Sequence, residues 1–267
     1  MYSNRLSRVN SASNQVTTWE IPGSAGLYTT AIDGMGKIWV TDFNASWVYR
    51  LDPLTSQVCR YALPGGGLAN YIDVNGQDIW LGDSSNARLV RLDALSGVYT
   101  WWELPGGSVP FDVELDVIGQ LWWTDRDFIG VLDPVSNSYA TFPLPPEQYP
   151  QVLSPRYGMV WYSYQGRYEV LNPAVAGGSV DIADRFSQSF SPDSSQVEPA
   201  SGGQVIPEKK TISWQSQGFK IVFNQDGWLS YESPPDGSPF GMVAGEDNLW
   251  LIDQSRAKLA QLPYFHI

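Results

Sequence analysis

The chain has 267 residues, 43% of them apolar and 16% charged, enough to bury one large core. A formal charge of -12 with no basic cluster excludes a phosphate-binding surface, so nucleic acid is not an expected partner. A single cysteine, Cys59, excludes an internal disulfide and a cysteine metal cluster, and no apolar run approaches the ~18 residues that cross a bilayer.

The opening MYSNRLSRVNSASNQ has no apolar signal-peptide core, so a soluble, by default cytoplasmic protein with no membrane partner is expected. Residues 6–9 and 16–21 read as two strands, because NRLSRVNSASNQVTTWEIP matches the later ARLVRLDALSGVYTWWELP. The N-terminal stretch thus supplies the third and fourth strands of a repeat unit without its first two, with residues 16–21 as the outer strand.

Residues 36–64, GKIWVTDFNASWVYRLDPLTSQVCRYALP, state the repeat in full. An apolar-Trp pair is followed by Thr-Asp, by a Leu-Asp-Pro corner and by an aromatic-x-apolar-Pro closing. The closing recurs as WEIP, YALP, WELP and FPLP, its prolines (Pro22, Pro64, Pro105, Pro145) 42, 41 and 40 residues apart, and a degraded YESP ends at Pro234. That spacing is typical of propeller blades. The Trp of the pair is Trp39, Trp80, Trp122, Trp161 and Trp250, and in a divergent unit TISWQSQGFKIVFN aligns with MVWYSYQGRYEVLN and puts Ser213 in the Trp position.

The corner is Leu51-Asp52-Pro53, Leu92-Asp93, Leu132-Asp133-Pro134, Leu171-Asn172-Pro173 and Phe223-Asn224. Segments between these marks are short, rich in Val, Ile, Tyr and Trp, and bounded by Gly, Asn, Asp or Pro, which is strand and turn chemistry. Six such units predict an all-β chain: a single β-propeller domain over residues 1–267, of six four-stranded blades, closed by pairing of the N- and C-terminal segments. In that closure residues 6–9 and 258–262 compete for one strand position. Residues 174–203, AVAGGSVDIADRFSQSFSPDSSQVEPASGG, read as an irregular insertion in the fifth blade, either functional or mobile.

The sentence G-x-[IL]-W-x-T-D, R-L-D-P, Y-x-L-P, seen in residues 36–64 and again in GQLWWTDRDFIGVLDPVSNSYATFPLP, resembles the repeat of the virginiamycin B lyase (streptogramin lyase) family. The resemblance covers most of the chain and implies a β-propeller, seven-bladed in that family. It also implies a magnesium-assisted elimination that opens a cyclic depsipeptide, carried by histidines and a glutamate. The only histidine here is His266, outside every repeat, so no catalytic histidine carries over and streptogramin lyase activity is not expected.

In a propeller the start of each inner strand and the turn after each second strand lie at one end of the blade. Three residues after the Trp marker stand Asp42, Asp83, Asp125 and Asp253, with Tyr164 and Ser216 in the other units. Such carboxylates would suit a hard divalent cation, calcium or magnesium. Equally, each would cap its own turn by accepting local N–H groups. At the inner-strand entry stand Tyr28, Asn70, Phe111, Gln151 and Phe240, with Tyr71 and Asp112 beside them, a set fit for a shallow ligand site or for packing between blades.

Trp39, Trp80, Trp122, Trp161 and Trp250 are expected in the core and Trp19 and Trp102 on outer strands, whereas some of Trp47, Trp101, Trp123, Trp214 and Trp228 should face outward as contact anchors. Two functions follow. One is a non-catalytic binding or assembly module with a protein partner, within a larger assembly, or a ligand. The other is a metal-assisted lyase or hydrolase acting on a lactone, ester or sugar-like substrate at the Asp-lined face.

Overall fold

The computed structural model describes residues 4–10, 15–165, 167–176 and 178–189, and beyond them the backbone of the strands within 204–263. Apart from one 3-10 turn at Pro64–Gly66, the described elements are all strands. They fall into two compact units, residues 1–111 with 184–211 and residues 112–183 with 212–267.

In the first unit β1 (Arg5–Val9) pairs antiparallel with β2 (Val16–Glu20). The first blade follows as a meander of β3 (Leu27–Ile32), β4 (Ile38–Asp42), β5 (Trp47–Asp52) and β6 (Gln57–Ala62). The second repeats it with β7 (Ala69–Asn75), β8 (Asp78–Asp83), β9 (Arg88–Asp93) and β10 (Val98–Glu103). In the second unit the third blade is β11 (Val113–Leu115), β12 (Leu121–Thr124), β13 (Phe128–Asp133) and β14 (Ser138–Pro143). The fourth starts with β15 (Leu153–Arg156), β16 (Met159–Tyr164) and β17 (Arg167–Leu171). This is a β-propeller arrangement with four blades described.

The period-2 pattern explains the packing. Along β8 and β9 the apolar residues fill both faces of the sheet, as they must in a blade stacked between neighbours. Trp39, Val48, Leu81, Val90 and Tyr99 form one core of the first two blades, and Trp122, Ile129, Phe142, Tyr162 and Leu171 form one of the third and fourth. At about 25 cal/mol per Å2, burying a ring that covers about 150–250 Å2 contributes on the order of 4 kcal/mol before entropy is counted.

The stretch expected to be one irregular insertion is partly strand. β18 (Ser179–Ile182) adds a fifth strand to β14, and β19 (Arg185–Ser189) adds one to β10. β20 (Gln204–Ile206) pairs with β2. With these residues placed on other sheets, the outer positions of the fourth blade are filled by β22 (Leu229–Glu232), paired to β17, and beyond it β21 (Lys220–Phe223). The divergent repeat therefore completes the fourth blade, where the sequence predicted a blade of its own. Its Trp-equivalent Ser213 lies outside the described residues.

β23 (Pro239–Ala244), β24 (Asn248–Asp253) and β25 (Lys258–Pro263) form a three-stranded sheet whose inner strand lies beside β15. The two segments expected to compete for one position each have a described partner of their own: β1 pairs with β2, and β25 with β24.

The tryptophan expectations mostly hold. Trp19, Trp39, Trp80, Trp102, Trp122 and Trp161 are buried. Of the five from which some were expected to face outward, Trp123 is fully buried, because Gly130 opposite it on β13 leaves the space its ring fills. Trp47 and Trp101 are half-buried beneath Arg60 and Arg88, and the side chains of Trp214, Trp228 and Trp250 lie outside the described residues.

Candidate functional site

Each blade has an upper end, where its first strand starts and its second strand turns into its third, and a lower end with the first–second and third–fourth turns. The Asp series stands at the upper ends. Asp42 is fully buried; its Oδ2 accepts from Ala25 N at 2.6 Å and its Oδ1 from Asn44 N at 3.1 Å. Asp83, also fully buried, accepts from Leu68 N and Ser85 Oγ on Oδ1, both at 3.0 Å. Its Oδ2 receives Arg88 Nε at 2.8 Å and Asn86 Nδ2 at 2.9 Å. Asp125 Oδ1 accepts from Arg126 N at 2.8 Å.

A divalent cation needs several oxygens free to converge, and these carboxylates are turned into their own loops. Asp83 in addition faces a guanidinium, which occupies the place of a cation. Among the described residues no three His, Cys, Asp or Glu side chains are grouped so as to hold a metal ion. Among the described residues, Asp42, Asp83 and Asp125 do not fit the magnesium that the resemblance implies, since their oxygens accept within their own turns. Asp253 lies on β24, and its side chain is outside the described residues.

The Thr of the Thr-Asp pair has a separate task. Thr41 Oγ1 donates to Asn70 O on the next inner strand at 2.7 Å, while accepting from Thr29 N at 3.1 Å. Thr124 Oγ1 accepts from Asp112 N at 3.0 Å and lies 3.5 Å from Gln151 O. The pair thus ties one blade to the next with its first residue and locks the upper turn with its second.

The entry series is split by the structure. Tyr28 on β3, Tyr71 on β7 and Phe111 come together, and Phe43 from the turn after β4 joins them. Ring centroids lie 5.3 Å apart for Tyr28–Phe43, 5.4 Å for Tyr28–Tyr71 and 5.2 Å for Tyr71–Phe111, with tilted and edge-on geometry. All four residues are half-buried. Asn70 sits beside them, its amide donating to Ser84 Oγ at 3.2 Å.

In the second unit Asp112 is buried and acts as a brace: its Oδ2 accepts from Leu153 N at 2.7 Å and its Oδ1 from Val113 N at 2.9 Å. Gln151 is exposed and its backbone N–H donates to Ser163 O at 2.8 Å. The side chain of Phe240 is outside the described residues.

One buried polar group escaped the sequence reading. Tyr162 donates to Glu169 Oε2 at 2.6 Å and lies 3.0 Å from Gln148 Oε1, and Gln148 Nε2 is 3.3 Å from the same carboxylate. Burial, and next the Glu169 charge, push the Tyr162 hydroxyl well above the usual tyrosine range. The signal was present: in RYEVL, alternation points Glu169 to the face that carries Leu171. A glutamate facing the core has to find donors, and Tyr162 is its register partner on β16.

No sequence-family model matches the chain, and no curated protein sequence matches it. Among solved structures, virginiamycin B lyase from Staphylococcus aureus is similar over 98% of this chain and 89% of its own, at a TM-score of 0.64 and 17% identity. A catalytically inactive histidine-to-alanine variant of that enzyme with quinupristin gives the same values. A streptogramin B lyase is similar over 96% of this chain and 85% of its own, with a TM-score of 0.63 and 18% identity. The chain thus shares the β-propeller fold of the streptogramin lyases, a likeness of fold and not of catalytic residues.

Proposed function

We propose that the protein is a non-catalytic propeller whose upper surface binds a partner or ligand through the aromatic floor of Tyr28, Phe43, Tyr71 and Phe111. The observation that carries the reading is the meeting of these half-buried rings at the inner-strand entry. Half-buried aromatic residues with an adjacent amide suit a flat apolar group, an aromatic side chain or the apolar face of a sugar. The Asp positions that would carry a metal-assisted reaction are taken up by the loops they fold, which favours binding over the hydrolase or lyase alternative.

The test is native size. Taken gently from its source, the wild-type chain should migrate well above 29.7 kDa, and a Tyr28→Ala/Tyr71→Ala variant with an unchanged β-sheet circular dichroism spectrum should migrate as the monomer. Monomeric migration of the wild type would overturn the assembly reading. Equal migration of both above the monomer would remove the aromatic floor from it.

A further inference from the structure

The upper blade ends of the first unit carry no exposed charge. Loops 22–27, 63–70 and 104–111 and turns 42–46 and 83–88 contain three charged residues, Asp42, Asp83 and Arg88, and all three are buried. In the second unit the upper blade ends expose Arg126, Asp127, Glu147 and Arg167. On a chain of formal charge -12 the neutral patch is a local property, and it coincides with the aromatic floor.

Two amides border that floor. Asn44, exposed beside Phe43, donates from Nδ2 to Ala25 O at 3.4 Å, and Asn70, beside Tyr71, donates from Nδ2 to Ser84 Oγ at 3.2 Å. Among the described residues nothing donates to the Oδ1 of either amide. A purely apolar ligand would strip water from these oxygens and return no hydrogen bond. A phosphate or carboxylate would find no exposed cation to pair with, and an ammonium group no exposed anion. Successive rings stand in contact, with centroids 5.2 to 5.4 Å apart, which leaves no slot between them for a proline ring or a methylated ammonium group.

We propose that the floor takes an uncharged saccharide, with the C–H face of a sugar ring on Tyr28, Tyr71 and Phe111 and its hydroxyls on Asn44 and Asn70. A pyranose has the two features that the patch asks for, an apolar face and a rim of hydroxyls that donate as well as accept. Its lack of charge matches loops whose only ionised side chains are buried and already bonded within their own turns. This inference rests on the reading of the floor as a binding site and names the class of ligand it takes.

The experiment screens the full wild-type chain on an array of neutral and acidic oligosaccharides and measures the strongest binder by calorimetry. The expected result is a neutral oligosaccharide whose dissociation constant stays within about twofold between low and high salt, because no charge pair forms. Tyr71→Ala should weaken it about tenfold or more and Asn70→Ala about three- to tenfold, each with an unchanged circular dichroism spectrum. Arg126→Ala, at the upper end of the third blade, should leave it as it is. Retention of no neutral oligosaccharide, preference for acidic ones, or an affinity that Tyr71→Ala and Asn70→Ala leave intact would overturn the proposal. Native size separates its failure from that of the floor itself: a complex that Tyr28→Ala/Tyr71→Ala dissolves, from a chain that retains no saccharide, would keep the floor as a protein contact and remove the sugar.

Discussion

The indole Nε1 of Trp39 donates to Asp33 Oδ2 at 2.9 Å, six residues back and across the first turn of its blade. Asp33 Oδ1 meanwhile accepts the N–H groups of Met35 and Lys37, both at 2.9 Å, around Gly36, whose φ of 74° closes the turn. Asp116 and Trp122 repeat the arrangement at 3.0 Å, with Ile118 N and Gln120 N on Oδ1. One carboxylate therefore orders a hairpin and orients the central tryptophan of its blade. Replacing Asp33 by Ala removes two acceptor oxygens and the three hydrogen bonds they receive, and leaves a buried indole N–H without that partner. The expected loss is about 2–4 kcal/mol in urea unfolding. In the second blade Asp73 stands seven residues before Trp80, one more than Asp33 before Trp39, and its Oδ1 accepts from Val74 N at 2.7 Å.

The Thr41 hydroxyl is a link between blades. Thr41→Val keeps the shape and removes a donor to Asn70 O and an acceptor for Thr29 N. It should destabilise by about 1–2 kcal/mol. Hydrogen exchange distinguishes this from a general packing loss: the Thr29 amide should lose protection before the amides of β5, which the hydroxyl does not touch.

Gly130 is needed for what it lacks. A methyl group built there runs into the ring of Trp123 on the paired strand β12, and Trp123 is fully buried with nowhere to retreat. Gly130→Ala should cost about 2–3 kcal/mol or more, and Trp123 emission should shift red as the ring is pushed toward solvent. The double variant Gly130→Ala/Trp123→Leu should recover part of the loss, since the smaller side chain leaves room for the methyl.

Acid stability has one readable contribution at the lower end of the first blade. The hydrogen bond from Lys37 Nζ, at 2.7 Å, and then that from Leu54 N hold the Asp52 carboxyl down to about 2, below its ordinary 3.8. A carboxyl with a depressed folded pKa stabilises fully above its unfolded value and loses that contribution as pH falls through the folded one. The window is therefore about pH 4 down to about pH 2. Both groups are partly exposed, so screening keeps the effect below about 1 kcal/mol. Wild type should exceed Lys37→Met in stability near neutral pH, and the difference should vanish by about pH 2.

The blade repeat was legible because a propeller writes the same turn chemistry once per unit: the closing prolines, the corner aspartates and the Trp markers predicted strands that the structure contains. What the sequence hid was long-range pairing. Residues 179–189 carry no blade grammar, and their pairing with the outer strands β14 and β10 depends on open edges elsewhere in the fold. The same displacement sent Leu229–Glu232 to β17, although its repeat marks looked independent. At the site, the meeting of Tyr28, Tyr71 and Phe111 followed from repeat position. The commitment of Asp112 to Leu153 N did not, since it depends on a backbone group on the next inner strand.

If Asp42, Asp83 and Asp125 served a metal, calcium or magnesium would stabilise the fold by mass action and a chelator would lower its melting midpoint. Their oxygens instead hold Ala25 N, Asn44 N, Leu68 N and Arg126 N, and Asp83 is paired with Arg88 at 2.8 Å. Chelator and then excess calcium or magnesium should leave the midpoint unchanged. Asp83→Asn should lower it sharply, since the amide cannot accept at every position and leaves the buried Arg88 charge uncompensated, a loss of about 3 kcal/mol or more. A rise in midpoint with cation that Asp42→Asn abolishes would return these residues to metal binding.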